Sequence, residues 1–430
     1  MDEMERLPGK FGLDQRQLRT LGLTSLGGIL EYYEFTLFIF LTPVIMKVFF
    51  PEGISLWLQQ VQTLGIFAAG YIARPLGATL LATLGDRHGR RKAMLTSMTG
   101  MALATLAIGL LPGWHRIGAW APLSLLLLRI VQGSAVGGEL PAAIVLVAEH
   151  VPARRLGLAF GILGASFGMG FVLSSGLVDL LSLGLDQHQW QLFGWRLPFL
   201  LGGGMGLMML WLRRHLDESP VFAASKETGK DGLLKRLARL WKEQRPALLR
   251  CLAASIAPAI LIPAVQLYPA TYFVVVAHYP LQQVAHAQAM MQVGTLCGAL
   301  LGGWCVDRLG WRRMIPSVAI CLLLALVHVY VFSRGEHLAT SFFVLGAGVS
   351  YVVMVYQPLV YSFPPALRIS GIAVVYNLSA AVFGGTTPML LAVWTRHGPT
   401  ALVVLPALAC LISVVTTPWL WKYRRHDLLS

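Results

Sequence analysis

Apolar residues come in long runs separated by short polar joints. The runs fall at 20–50, 56–84, 93–112, 119–149, 154–184, 194–213, 246–276, 284–306, 314–333, 338–363, 369–395 and 399–421. A hydrocarbon core of ~30 Å takes roughly 20 helical residues to cross, so each run predicts a membrane-spanning helix, twelve in all. The one long polar stretch, 214–245, divides them six and six. The predicted organisation is a tail (1–19), a six-helix bundle (20–213), a central connection (214–245), a second bundle (246–421) and a second tail (422–430). The fold class is all-α integral membrane. In the connection, GLLKRLARLWKEQ puts Leu233, Leu237, Leu240 and Trp241 on one helical face and Lys235, Arg236, Arg239 and Lys242 on the other. That pattern predicts a basic amphipathic helix lying on the membrane surface.

The polar joints repeat. GDRHGRRK follows the second run and VDRLGWRRM the eighth, and aligning Asp86 with Asp307 also aligns Arg87 with Arg308, Gly89 with Gly310 and Arg91 with Arg312. PARRLG (152–157) and PALRISG (365–371) precede the fifth and eleventh runs in the same way. Two repeats at equivalent places predict two halves of parallel topology, the plan of transporters that bind substrate at the bilayer midplane between the halves.

Composition agrees: 56% of the 430 residues are hydrophobic, only 13% are charged, and the mean hydropathy is +0.65. A soluble domain carries roughly 25% charged residues. The net charge of +14 could suggest a nucleic-acid partner, but its distribution points elsewhere. With the N-terminus inside, 27 of the 34 Lys and Arg lie on inner segments and five outside, while Arg74 and Arg129 fall within runs. This is the positive-inside pattern, which predicts both termini in the cytoplasm and an inner (cytoplasmic) membrane location. The polar leader MDEMERLPGKFGLDQRQLRT and the long run after it predict no cleavable signal peptide. Cys251, Cys297, Cys305, Cys321 and Cys410 have no metal-ligand spacing and read as small core residues. His278 and His286 are expected outside and His328 within the ninth helix, with no metal-binding cluster among them. No cofactor is expected. The partners expected are a small solute, protons and the lipid bilayer, and the chain is expected to be a monomer.

The first run, LGGILEYYEFTLFIFLTPVI, contains Glu31 and Glu34. A charge at the bilayer centre costs ~2.5–3.5 kcal/mol on insertion scales, so such groups face an interior and find partners. At i and i+3 the two share a helix face. Mutual repulsion and desolvation then favour holding a proton on at least one, which a proton-driven carrier requires. The alternative is that both are permanently paired with arginines and only tie helices together. Three intramembrane glutamates (Glu31, Glu34, Glu139) and two arginines (Arg74, Arg129) concentrate charge handling in the first half. Arg129 and Glu139 are ~15 Å apart along their helix, too far to pair. An arginine fork recognises carboxylates, so Arg74, with Gln132 one turn from Arg129, is expected at the substrate. The second half offers uncharged groups for a substrate cage: Gln266, Tyr268, Tyr356, Gln357, Tyr361, Tyr376 and Asn377. Asp86, Arg90, Arg91, Asp307, Arg312 and Arg313, with Glu149 as a partner, are expected to form inner-face bridges that gate the transporter.

GDRHGRR resembles the signature loop of the major facilitator superfamily. ILEYYEFTLF, RIVQGSAVGGE, GWRLPFLLG with the later LDESPVF, and YNLSAAVFGGTTP narrow the resemblance to its metabolite:proton symporter family. The resemblance implies the major facilitator fold and solute uptake driven by protons. Known relatives carry proline and betaine, shikimate, oxoglutarate, citrate and dicarboxylates. It also implies a coupling role for Arg129, whose RxxQG pattern is similar to a superfamily coupling element. Tyr32-Tyr33-Glu34 and Gly138-Glu139-Leu140 depart from the family's Trp-Tyr-Asp and Gly-Glu-Trp. The reading that results is proton-coupled import of a carboxylate-bearing metabolite: a citrate-like polycarboxylate, a carboxylate siderophore or a dicarboxylate. Import of a zwitterionic osmolyte and proton-driven efflux are the alternatives. The fifth helix, GILGASFGMGFVLSSG, lacks the Gly-Pro motif of superfamily exporters. No nucleophile or His–acid constellation marks an enzyme, while a non-transporting receptor would look the same in sequence.

Overall fold

A computed structural model of the chain describes residues 15–88, 90–214, 233–332 and 337–420, and every regular element among them is helical. Twelve helices result. α1 runs Gln15–Phe40 and continues past a bend as Thr42–Phe49; α2 is Leu56–His88, α3 Arg90–Leu110, α4 Trp120–Val136 with Glu139–His150, α5 Leu156–Gly184 and α6 Arg196–Arg214. In the second half, α7 runs from Leu233–Leu261 through Ile262–Leu267 to Tyr268–Val275. α8 is Leu281–Leu309, α9 Trp311–Val327 with His328–Phe332, α10 Leu338–Val349 through Tyr356–Tyr361, α11 Pro365–Ser379 through Gly385–Trp394 and α12 Ala401–Leu420. Nine of them, and bent α1 as a tenth, have the length and apolarity of membrane spans, and α3 and α6 complete the set. The chain is a multi-pass membrane protein.

The helices are not straight rods, and proline and glycine set the breaks. α1 turns by 62° around Leu41, just before Pro43 in the first turn of the following segment. α4 breaks at Gly137-Gly138, where two residues without Cβ precede Pro141. α7 kinks at Gln244 (φ −124°, ψ 18°), two residues before Pro246, and widens into a π-helical turn at Ile262–Leu267 around Pro263. α11 carries a π-helical turn at Ala380–Gly384. Such turns free backbone carbonyls and re-aim side chains. At the start of α7, Leu240 is buried while Arg239 and Trp241 are exposed, and Arg245 stacks over Trp241 at 5.2 Å. Of the connection, residues 215–232 and the side chains of 233–236 lie outside the described set.

Helix packing follows the sequence repeat. The repeat relates α2 to α8 and α5 to α11, and the principal contacts between the halves are α5 with α8 and α2 with α11. A two-fold operation exchanging the halves converts one pair into the other. At α5–α8 the approach is set by glycine: a methyl on Gly157 would stand 2.5 Å from the Gly303 carbonyl, and one on Gly161 2.6 Å from that of Ala299. Small-residue faces let transmembrane helices meet at backbone distance. Replacing Gly161 with Leu should therefore cost several degrees of melting temperature in detergent and reduce transport about tenfold, since overpacking costs ~1–3 kcal/mol. An unchanged melting curve with full transport would show that the two halves need no such contact.

Candidate functional site

A central cavity of about 40 Å³ lies between the halves. α1 contributes Glu31, Tyr32, Phe35 and Thr36, α2 Tyr71 and Arg74, α5 Phe171, α7 Ser255 to Pro263, α10 Tyr356 and Leu359, and α11 Tyr376 and Gly384. Two charged side chains line it, Glu31 and Arg74, and each acts electrostatically on the other. Arg74 is 5% exposed, with its guanidinium 4.4 Å from the ring centres of both Phe35 and Tyr71, while its Nε has no hydrogen-bond partner in the protein. A planar cation packed against an edge-to-face ring pair keeps its N–H edge for a ligand. Across the cavity the hydroxyls of Tyr32 (α1) and Tyr376 (α11) lie 3.3 Å apart.

Glu34 does not face this cavity. Three residues on from Glu31, it turns into the first bundle, 2% exposed, where Thr105 Oγ1 of α3 donates to its Oε2 at 2.7 Å. Gln132 Nε2 of α4 donates to Thr105 Oγ1 at 2.8 Å, and Arg129 Nη1 donates to Gln132 Oε1. A chain Glu34–Thr105–Gln132–Arg129 thus links a buried carboxylate to a buried cation without direct contact. Arg129 is 0% exposed, held over Phe38 (4.5 Å), Phe35 (4.8 Å) and Phe67 (5.4 Å), and its Nε and Nη2 have no protein hydrogen-bond partner. The expectation that the two glutamates share one helix face is corrected. The 300° that separates i from i+3 is enough to send Glu31 to the cavity and Glu34 to the bundle core, where Glu139 is the carboxylate that acts on it.

Several expected cage residues also sit elsewhere. Gln132 belongs to the chain just described. Gln266, in the π-helical turn, donates to Thr295 Oγ1 at 2.9 Å and accepts from Gln288 through its carbonyl, so it is spent on the α7–α8 seam. Tyr268 bonds Thr395 Oγ1 (2.7 Å) and accepts from Gln60 Nε2 (3.5 Å), closing the face away from the chain's ends. Gln357 turns towards Tyr361, its Nε2 3.4 Å from the Tyr361 hydroxyl. Asn377 Nδ2 donates to the Gly137 carbonyl at 2.6 Å. That carbonyl has no helical donor because residue 141 is proline, so Asn377 serves as a strut between halves. Tyr356 does line the cavity. The aromatic lining residues of α1 and α2 that the sequence did not single out are Phe35 and Tyr71. Their signal was the aromatic spacing of α1 and α2, which also suits ordinary core.

Contacts between the halves lie on both sides of the cavity. On the face bearing the chain's ends, Asp307 accepts from the backbone N–H groups of Gly157 (2.7 Å) and Leu158 (2.9 Å) at the start of α5. There the carboxylate caps the positive helix end, with Arg155 acting on it electrostatically. Glu149 pairs with buried Arg368 of the PALRISG repeat at 3.6 Å. Arg312 stacks over Trp311 at 5.6 Å, and Arg313 is exposed. The side chains of Asp86, Arg90 and Arg91 lie outside the described residues. On the opposite face, Trp57 Nε1 donates to the Ala392 carbonyl (3.2 Å), Arg396 stacks over Trp57 (5.0 Å), and His286 approaches Asp179 (3.7 Å).

The ring cradle of Arg129 is directly testable. Lys keeps the charge but loses the planar face that three rings hold, so Arg129→Lys should lower transport about tenfold or more while the protein still inserts and purifies. Full transport by that variant would show that charge alone suffices.

The family model described as "Major Facilitator Superfamily" matches residues 24–388. A "Glycine betaine/proline/ectoine/pipecolic acid transporter OusA" of Dickeya dadantii (strain 3937) is 30% identical over 397 residues, covering 88% of this chain and 78% of that protein. A "Proline/betaine transporter" of Salmonella typhimurium (strain LT2) is 29% identical over 397 residues, with the same coverage of 88% and 78%. Among solved structures, the proton:xylose symporter XylE bound to 6-bromo-6-deoxy-D-glucose matches with a TM-score of 0.76 at 17% identity, over 96% of this chain and 98% of that one. A partially occluded inward-open form of XylE from E. coli gives 0.74 at 17%, over 95% and 97%. With the repeat, the exchanged helix pairs and the cavity between halves, these matches identify the chain as a member of the Major Facilitator Superfamily.

Proposed function

We propose that the chain is a proton-coupled importer of small zwitterionic osmolytes of the proline and betaine kind, working by alternating access. The observation that carries this reading is the pairing of Arg74 and Glu31 in one cavity walled by aromatic rings. A zwitterion presents a carboxylate to the guanidinium edge and an ammonium to Glu31 and the ring faces, which attract methylated cations well. The named functions of the bacterial relatives support the same substrate class. A carboxylate-bearing anion, the class first expected, fits less well: Arg129 is not in the cavity, and Glu31 adds a negative charge where a polycarboxylate would need none.

The proton is assigned to Glu34, which is buried, lies beside the cavity wall and is tied to Arg129 through neutral groups. The excess of Lys and Arg on the side of the chain's ends supports cytoplasmic termini in a bacterial cell membrane. One chain encloses the whole cavity, so the working unit is a monomer of two six-helix bundles flanking the connection at 214–245.

Uptake of labelled glycine betaine, proline, citrate and succinate, with and without an uncoupler, tests the assignment. Glycine betaine or proline should accumulate, and the uncoupler should abolish it. Glu34→Gln should stop accumulation while leaving exchange of internal for external substrate. Arg74→Lys should lower uptake about tenfold, because the planar edge is lost. Accumulation of citrate instead, or faster loss of betaine from energised cells, would overturn the reading in favour of anion import or efflux.

A further inference from the structure

Thr105 stands midway along the chain that joins Glu34 to Arg129. Its side chain is fully buried, and its Oγ1 has three partners within reach. The hydroxyl donates to Glu34 Oε2 at 2.7 Å or to the Met101 carbonyl at 2.9 Å, and it accepts from Gln132 Nε2 at 2.8 Å. A hydroxyl has one hydrogen and two lone pairs, so two oxygens compete for a single proton.

That competition is resolved differently in the two states of Glu34. With Glu34 ionised, the Thr105 hydrogen points at the carboxylate, and the Met101 carbonyl keeps its ordinary helical bond. With Glu34 protonated, the carboxyl O–H becomes the donor and needs an acceptor at the same place. Thr105 provides one by turning its own hydrogen to Met101, a back-bond to the preceding turn that helices tolerate. Gln132 goes on donating to Oγ1 in both states, and its amide keeps its hold on Arg129. No buried polar atom of this chain loses a partner when the proton arrives or leaves, a loss that would otherwise cost a desolvated group its only bond.

We propose that Thr105 is a positioning residue of the proton step, a hydroxyl rotor that turns between Met101 and Glu34 as the carboxyl loses and gains its proton. Thr105 itself exchanges no proton; the proton enters and leaves through Glu34. The inference rests on the assignment of Glu34 as proton carrier. The titratable and charged groups around Glu34 are Tyr33 and Glu31 on its own helix and Glu139 and Arg129 on α4; α6 presents Gly206 to the carboxylate, and α3 presents Thr105 and Ala102. Among the described residues, Thr105 is thus the side chain that holds the carboxylate directly in place.

The experiment compares Thr105→Val, Thr105→Ser and Glu34→Gln with the parent protein in proteoliposomes, using labelled glycine betaine. Uptake driven by an imposed pH gradient and exchange without a gradient are measured on each. Val matches Thr in shape but removes donor and acceptor together. It should cut gradient-driven uptake about tenfold and keep exchange within about twofold. It should also move the midpoint of the pH profile about one unit toward alkaline, because the ionised carboxylate loses more from the missing donor than its protonated form loses from the missing acceptor. Ser should restore both readouts. If Val prevents insertion, Thr105→Ala against Thr105→Ser reads the same split. Gradient-driven uptake and a pH profile unchanged in Thr105→Val, where Glu34→Gln has lost them, would overturn the rotor alone. Gradient-driven uptake retained by Glu34→Gln would overturn the assignment of Glu34 and the rotor with it.

Discussion

A guanidinium without access to water governs the first bundle. Arg129 cannot shed its charge, and full burial of an unpaired cation is among the most expensive states a membrane protein can hold. The fold meets this cost indirectly. Phe35, Phe38 and Phe67 turn their faces to the cation, and Gln132 passes its remaining hydrogen-bonding demand to Thr105 and thence to Glu34. Each ring contributes only ~0.5–2 kcal/mol, so the cradle lowers the cost without cancelling it. The uncancelled part makes the local electrostatics sensitive to whether Glu34 carries a proton. A direct Arg129–Glu34 pair would be tighter, and harder to protonate.

Glu31 and Glu34 lie three positions apart on one helix, and they face different spaces. Glu31 meets the solute cavity with Arg74; Glu34 meets the bundle core with Thr105. Phe35 joins the two, since its ring lies under both arginines. The cavity and the Glu34–Arg129 chain therefore share a wall. On the proposed assignment of the proton to Glu34, that common aromatic partition is the route by which each site is biased by the charge state of the other.

Closure depends on backbone exceptions. Pro141 leaves the Gly137 carbonyl unbonded and Asn377 takes it up; Gly157 and Gly303 bring α5 and α8 to backbone distance; Asp307 then caps the exposed N–H groups at the start of α5. These contacts are few, polar and located at helix ends. Such contacts part without unpacking a core, as a carrier that must open one face at a time requires. The apolar bulk of each bundle stays intact while the seam changes.

The sequence by itself determined the twelve helices, the two related halves, the family and the presence of buried carboxylates in the first bundle. Those properties follow from run length, repeated joints and the cost of charge in hydrocarbon, all of which are local or additive along the chain. The direction of individual side chains was settled only by tertiary structure. Gln132, Gln266, Tyr268, Gln357 and Asn377 have the same chemistry whether they line a cavity or tie helices together, and helix rotation alone decides between the two. The aromatic wall was hidden for the same reason, because Tyr32, Tyr71 and Phe171 look like core until the opposing bundle is in place. The bridge from Glu149 to Arg368 and the cap of Asp307 on α5 each join residues about 150 to 220 positions apart, a proximity that arises from packing and that no spacing along the chain encodes.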